Sequence, residues 1–182
     1  SLRMRSTTQP GGAQGPSFRA LVQEGQFFEA AAMAKAAVDQ LEVVSYPEPK
    51  AYVEALRNRG ESLLFIGKPQ EAGHFLQRGL RVGFGNFGEN SLEVAGVQVL
   101  LARAFMAMGE HRDALVSAQH ALNIFESQPT LPIVAVLAFD MLAHFELQRG
   151  CKDAATHFVS AANALLSERN VNRFEAFRFG LL

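Results

Sequence analysis

The sequence predicts an all-α fold, an α-α superhelix built from helical hairpins stacked one on another. Four glycines recur at intervals of 42, 42 and 41 residues, and they are Gly25, Gly67, Gly109 and Gly150. Each is followed five residues later by an alanine and twelve residues later by another small residue. A fixed period of this length is the signature of a helical repeat array. The sequence therefore predicts four consecutive repeats.

Each recurring glycine predicts the end of the first helix of a repeat. A residue just past a helix end often has a positive φ, which glycine adopts without steric cost. Polar and acidic residues follow, as in the segment from Glu110 to Ala114, and carboxylates favour the N-terminus of a helix. Positions five, nine and twelve after the glycine lie on one face of the second helix. Because these positions are mostly small, the two helices of a repeat can pack closely.

The third repeat carries the pattern most clearly. Its first helix has a large-small pair at Leu101-Ala102 and an aromatic residue at Phe105, and the marks that follow are Gly109, Ala114, Ala118 and Ala121. This pattern resembles the tetratricopeptide repeat (TPR) signature, and the match extends over residues 17–168. The usual TPR unit has about 34 residues, so the longer unit is similar to that of kinesin light chains. The resemblance implies a right-handed solenoid; HEAT-like helix pairs, with a period of about 40 to 47 residues, are the structural alternative.

Two positions depart from the TPR pattern. Arg59 and Glu146 stand where the first helix of a repeat normally carries an apolar residue. A small rotation of the helix would let Phe145 and Leu147 take the place of Glu146 in the core.

The predicted organisation has a tail, four repeats and a final helix. Residues 1–16 are rich in Gly, Pro, Gln and Thr, which predicts a flexible linker or tail. The repeats span residues 17–46, 47–88, 89–129 and 130–169, and residues 171–182 predict a capping helix. The predicted helices are 17–24, 27–44, 50–66, 69–82, 90–108, 111–126, 132–149 and 152–168. Residues 83–88 are expected to form a flexible loop, because three of the six are glycines.

Composition limits the classes of function. The chain has 182 residues, 48% of them hydrophobic, with a net charge of −1 and a pI near 6.5, so a nucleic-acid partner is not expected. Cys151 is the single cysteine, which excludes an internal disulfide and favours an intracellular, cytoplasmic setting. No apolar run approaches the roughly 18 residues of a membrane span, so membrane insertion is not expected.

No motif in the sequence predicts catalysis, a cofactor or a metal. Gly83-x-Gly85-x-x-Gly88 matches the dinucleotide-binding fingerprint by letters, but that motif needs a preceding strand, and the residues before it have a helical period. The five histidines show no metal-ligand spacing. Cys151 precedes a predicted helix, where a thiol pKa can be lowered, although an ordinary turn residue is the simpler interpretation. The sequence therefore predicts a protein that is not an enzyme.

The resemblance to TPR domains implies that the first helices line a concave groove. The residues that stand 13, 10, 9, 6, 3 and 2 positions before each recurring glycine then face this groove. The candidate partner-binding residues are Arg57, Asn58, Glu61, Phe65, Val99, Arg103, Met106, Asp140, Met141, His144 and Leu147. The apolar members would provide burial and the charged members would set the register of a bound segment. A second interpretation is that the apolar members form the core between repeats.

These observations favour a protein-interaction scaffold that binds a peptide or an amphipathic helix of a partner protein. One alternative is self-assembly through an aromatic C-terminal stretch that contains Phe174, Phe177, Phe179 and Leu182. Another is a non-catalytic regulatory domain of a larger enzyme, because the chain begins with Ser1 and is expected to be part of a longer protein. A clamp for acidic C-termini, as in some TPR domains, is disfavoured because acidic residues accompany the two arginines of the groove.

Overall fold

The computed structural model describes residues 16–169, which form eight α-helices and no strand within that range. The helices are α1 (Phe18–Gln23), α2 (Phe27–Glu42), α3 (Pro49–Phe65), α4 (Pro69–Phe87), α5 (Leu92–Met108), α6 (His111–Glu126), α7 (Ala135–Gln148) and α8 (Lys152–Glu168). Each helix packs on the next one along the chain, and α5 also contacts α3 and α7. The all-α prediction is therefore confirmed. Most of the predicted tail, the predicted capping helix and the aromatic C-terminal stretch lie outside the described residues.

The recurring glycines end helices as the sequence predicts. Gly25, Gly67, Gly109 and Gly150 have φ values between 74° and 80°. At Gly109 the reversal closes with two hydrogen bonds, since its amide donates to the carbonyl of Met106 and the next amide donates to the carbonyl of Phe105. These bonds satisfy carbonyl groups that a helix end otherwise leaves without partners.

The small residues of the second helices are buried against the first helices. In α6, the side chains of Ala114, Ala118 and Ala121 are fully buried. A small residue at each turn of this face lets the two helix axes approach closely. The paired helices of each repeat are consequently tight hairpins.

Helix α4 is longer than the sequence predicts. Residues 83–87 continue the helix, which ends at Gly88 with a φ of 83°. A Cβ atom on Gly83 would lie 3.0 Å from Cγ2 of Val94, so glycine allows α4 to approach α5 closely. Phe87 packs on the main core from the last turn. These contacts offset the low helix propensity of glycine, which costs about 1 kcal/mol relative to alanine.

Helix α7 begins three residues later than predicted. The segment from Pro132 to Val134 forms a turn in which the amide of Ala135 donates to the carbonyl of Pro132 at 2.9 Å. The amide of Val136 donates in the same way to the carbonyl of Ile133. This tighter spacing of hydrogen bonds is common at helix N-termini.

The two departures from the repeat pattern have local explanations. Arg59 on α3 donates from Nη1 to the carbonyl of Ala31 on α2 at 3.0 Å, so its charged end bonds to the neighbouring repeat. Phe145 replaces Glu146 in the core, as predicted, whereas Leu147 is 56% exposed and does not. Glu146 pairs with Arg149 one turn later, at 2.9 Å.

The core is divided unevenly along the chain. One large cluster of buried residues extends from α3 to α8, whereas α1 and the start of α2 form a separate cluster around Phe18, Leu21 and Val22. A third cluster joins Val38 of α2 to Leu56 of α3. The first repeat is thus attached to the main body through a smaller apolar contact than the others.

Candidate functional site

A cavity on the first helices lies between α5 and α7. It has a volume of about 510 Å³ and is lined by Arg103, Met106, Ala107, Leu137, Asp140, Met141 and His144. Five of the predicted groove residues are therefore brought together here, three of them from α7. We refer to it as the α5–α7 cavity.

A second cavity lies beside the first and draws on more helices. It has a volume of about 260 Å³ and is lined by Arg19, Arg57, Glu61, Leu92, Gly96, Leu100, Phe125, Pro132, Val134 and Leu137. Leu137 lines both cavities, so the two are adjacent. We refer to this one as the central cavity. A third cavity of about 210 Å³ shares Arg57 and Leu92 with it, and the three together form the groove.

Glu61 is the charged residue that the groove buries most deeply. Only 2% of its surface is exposed, and its Oε1 lies 3.5 Å from Nη1 of Arg19. Burial lowers the pKa of Arg57, and the charge of Arg19 lowers it further, against the opposite effect of Glu61 and Glu54. Burial likewise lowers the pKa of Arg103, which Glu61 opposes. Arg57 and Arg103 nevertheless remain charged near neutral pH, because the guanidinium group is so basic.

Phe65 connects the groove to the first repeat. Its ring stacks on that of Phe27 with centroids 4.8 Å apart. The guanidinium carbon of Arg103 lies 5.7 Å from the Phe65 ring centroid, within the range of a cation–π contact. Phe65 therefore supports Arg103 from below, although it does not line the three cavities.

Several predicted residues are not brought into the cavities. Val99 is fully buried in the main core and cannot reach a partner, so the structure corrects its assignment. The reason is that α5 packs on α3, α4, α6 and α7, which bury more of its circumference than the repeat pattern implies. Asn58 is half-buried and accepts a hydrogen bond from Arg57. Leu147 is largely exposed but lies outside the cavity linings.

The sequence interpretation missed Arg19, which brings a charge from the first repeat into the central cavity. A signal for it was present, because Arg19 lies six residues before Gly25, as Glu61 and Arg103 lie six residues before their own glycines. Phe125, Pro132 and Val134 were also missed. They come from the end of α6 and the turn that follows. The positions counted back from each recurring glycine lie in the first helices only, so they do not include these residues.

A separate cavity lies on the other side of α7. It has a volume of about 440 Å³ and lies between α6, α7 and α8, with Leu115, Leu142 and Phe158 among its apolar lining residues. None of the predicted groove residues lines it.

Within residues 16–169, no three His, Cys, Asp or Glu side chains are placed to hold a metal ion together. None of the helices in this range is long and apolar enough to cross a bilayer.

Comparison with known proteins relates the fold to solved helical repeats. No protein-family model matches the chain, and no curated protein sequence matches it. A structure from Podosopora anserina, described as a kinesin light chain with nearly identical TPR-like repeats, aligns with a TM-score of 0.64 and 18% identity. The alignment covers 83% of this chain and 72% of that one, and a single-substitution variant of the same protein gives identical values.

BtubC from P. vanneervenii also aligns, with 17% identity over 84% of this chain and 78% of that one, at a TM-score of 0.44. At 18% identity, the likeness to the kinesin light chain structures shows the fold alone. Three features of this chain agree with such a repeat fold. They are the period of 41 to 42 residues, the glycines with positive φ and the buried alanine faces. The chain therefore has a TPR-like helical repeat fold, similar to the repeats of kinesin light chains.

Proposed function

We propose that this chain is a protein-interaction scaffold whose groove binds a peptide or an amphipathic helix of a partner protein. The observation that carries the proposal is the α5–α7 cavity, which gathers residues from two successive first helices. Its apolar lining residues include Met106, Leu137 and Met141, and its charged or polar ones are Arg103, Asp140 and His144. Apolar recesses with a few polar groups are typical of binding sites.

The arrangement of the three cavities favours an elongated ligand. The α5–α7 cavity meets the central cavity at Leu137, and the central cavity meets the third at Arg57 and Leu92. A peptide can place successive side chains in a row of adjacent recesses, whereas a compact small molecule would occupy one of them. The methionines of the α5–α7 cavity can adjust to apolar side chains of different shape.

Ala107 offers the sharpest test of the groove. It is exposed and lines the α5–α7 cavity, so an arginine there would fill the recess without entering the core. Charge reversal of Arg57 is a poorer test, because it would place a second carboxylate one helical turn from the buried Glu61. We therefore expect Ala107→Arg to remove partner binding and to leave the helical content unchanged.

The measurement is affinity capture from a lysate of the source cells, followed by mass spectrometry. Ala36→Arg is the matched control, because Ala36 is exposed on α2 and the substitution adds the same charge. We expect a set of proteins that the parent and Ala36→Arg retain and Ala107→Arg loses. If all three forms retain the same proteins, binding does not use the groove and the proposal is wrong.

A further inference from the structure

Two residues that line the central cavity each carry a buried polar atom without a hydrogen-bond partner within residues 16–169. Nε of Arg57 and Oε2 of Glu61 are buried, and neither has a hydrogen-bond partner among the described residues. Both residues line this cavity. Nε of Arg59 is in the same condition, but Arg59 lies outside the cavity lining and packs on the ring of Phe75. Buried polar atoms without partners reduce stability, so a ligand that satisfies them gains affinity.

Arg57 and Glu61 are four residues apart on α3, and side chains at this spacing lie next to each other on one helix face. A Cβ atom on Gly96 of α5 would lie 3.7 Å from Nη1 of Arg57, so the guanidinium rests against α5 where no side chain intervenes. The two side chains are thus neighbours on the α3 side of the central cavity.

The pair excludes most charged ligand groups. A carboxylate can accept from Arg57, but its charge would repel that of Glu61. An ammonium or guanidinium group can donate to Glu61, but it would repel Arg57 and Arg19. In a desolvated site each of these repulsions is strong. A neutral group that offers a donor and an acceptor together avoids both repulsions.

We propose that the central cavity binds the side-chain carboxamide of an asparagine or glutamine of the partner peptide. The carboxamide NH₂ group donates to Oε2 of Glu61, and its carbonyl oxygen accepts from Nε of Arg57. A primary carboxamide carries its donor and acceptor on one edge. The N–H and C=O of a trans main-chain amide point in opposite directions, and a hydroxyl must serve both functions with one oxygen.

The remainder of the cavity suits the stem of such a side chain. Leu92, Leu100 and Leu137 provide apolar walls for methylene groups. The volume of about 260 Å³ accommodates a side chain, whereas a whole helix has a diameter of about 10 Å or more. In this assignment, which rests on the proposed function, the α5–α7 cavity takes an apolar side chain of the same peptide.

Arg19 is the side chain that must move to open the site. It is about half exposed, and its contact with Glu61 is 3.5 Å long, beyond the 2.7 to 2.9 Å of a strong charge-assisted hydrogen bond. A shift of its exposed end that keeps the contact with Oε1 leaves the buried carboxylate paired. The entering carboxamide donates to the other oxygen, Oε2, which has no partner among the described residues.

The test is a selection from a phage-displayed library of random dodecapeptides against the parent protein, with Ala107→Arg as the counter-selection. We expect the groove-dependent peptides to share an Asn or Gln at one aligned position. A synthetic peptide from this pool should lose affinity by about tenfold or more when that residue becomes Glu or Asp, because one hydrogen bond to a charged group is replaced by repulsion. This comparison uses the parent protein, so it does not depend on the folding of a variant.

The protein-side test compares Glu61→Gln with Glu54→Gln. Both remove one negative charge near Arg57, but the Glu54 side chain is 60% exposed and Glu61 is buried. The new side-chain amide of Glu61→Gln can turn its NH₂ group toward a carboxylate, so this variant should bind the acidic and the amide peptides within about threefold of each other. Glu54→Gln should keep the preference of the parent.

The ways in which these tests can fail are distinguishable. If no selected peptide is sensitive to Ala107→Arg, the groove does not bind peptides, and the proposed function and this inference are both wrong. If groove-dependent peptides appear but carry acidic, basic or hydroxyl residues at the aligned position, or no preference there, the inference alone is wrong. Retention of the amide preference by Glu61→Gln would also overturn it.

Discussion

At the scale of single residues, close packing decides which substitutions the fold tolerates. Gly60 on α3 lies against Leu76 on α4, which is fully buried. A Cβ atom at Gly60 would lie 2.5 Å from Cγ and 2.6 Å from Cδ2 of Leu76. Real Cβ atoms do not approach other carbons so closely. Even a methyl group would therefore force the two helices or the leucine to move.

We expect Gly60→Ala to lower the free energy of unfolding by about 1–3 kcal/mol, because the added methyl group overpacks a closed interface. Helix propensity alone predicts the opposite sign, since alanine is the better helix former. Urea unfolding followed by circular dichroism measures the difference. An equal or higher midpoint for Gly60→Ala would contradict the close packing of α3 on α4.

Gly73→Ala is the matched control for this substitution. Gly73 is also buried within a helix, but the nearest atom to its added Cβ is Cε of Met108, at 3.8 Å. That distance is an ordinary van der Waals contact with the end of a flexible side chain. The control should be neutral or stabilising by up to about 1 kcal/mol.

At the scale of helices, the last turns of α4 stay helical although glycine has a low helix propensity, because tertiary contacts hold them. Gly85 is exposed, and a Cβ there would meet no atom within 4 Å. If residues 83–87 are helical, Gly85→Ala should raise the unfolding free energy by about 0.4–1 kcal/mol, since alanine loses less conformational entropy. The urea midpoint again provides the measurement, and a lower midpoint would favour the flexible loop that the sequence predicts.

Gly88→Ala, in the same segment, should change the free energy of unfolding in the opposite direction. A Cβ at Gly88 also meets nothing within 4 Å, but the residue has a φ of 83°. Together with a ψ of 163°, this conformation is almost restricted to glycine and costs a residue with a side chain about 1–3 kcal/mol, so this variant should be destabilised. If Gly85→Ala raises the free energy of unfolding and Gly88→Ala lowers it, α4 ends between these two residues.

The helix ends that local chemistry determines could be predicted from the sequence. The bounds of α6 and α8 agree with the prediction because a left-handed glycine stands before each helix and a polar first turn follows. The end of α4 could not be predicted, because it depends on the approach of Gly83 to Val94 in another helix. Local propensity carries no information about that contact.

In the groove, too, some residues could be placed from the sequence, whereas the positions of others depend on tertiary packing. Met106 and Met141, which both stand at predicted groove positions, line one cavity because successive first helices present equivalent faces. The prediction failed at Val99, whose burial depends on how much of α5 its neighbours cover. The charges around Glu61 could not be paired from sequence either, since Arg19 and Glu61 meet across two repeats.

At the scale of the whole molecule, the separate cores predict unequal local stability. The buried residues of α1 and the start of α2 form their own cluster, whereas α3 to α8 share a continuous one. In a repeat array each unit is stabilised mainly by its neighbours, and the first repeat has a described neighbour on one side only. We expect the amides of α1 and α2 to exchange with solvent through local opening, before those of α5 and α6.

Phe27 is the residue that should control this opening, because its ring stacks on Phe65 of the second repeat. Phe27→Ala removes the aromatic pair and part of the apolar contact, which together contribute about 1–2 kcal/mol. Hydrogen exchange should therefore accelerate about tenfold in α1 and α2, with little change in α5 to α8. Phe28→Ala is the control, since Phe28 is the next residue of α2 but is 76% exposed, and it should leave exchange unchanged. If Phe27→Ala accelerated all helices equally, the repeats would unfold as one cooperative unit and the division of the core would have no energetic consequence.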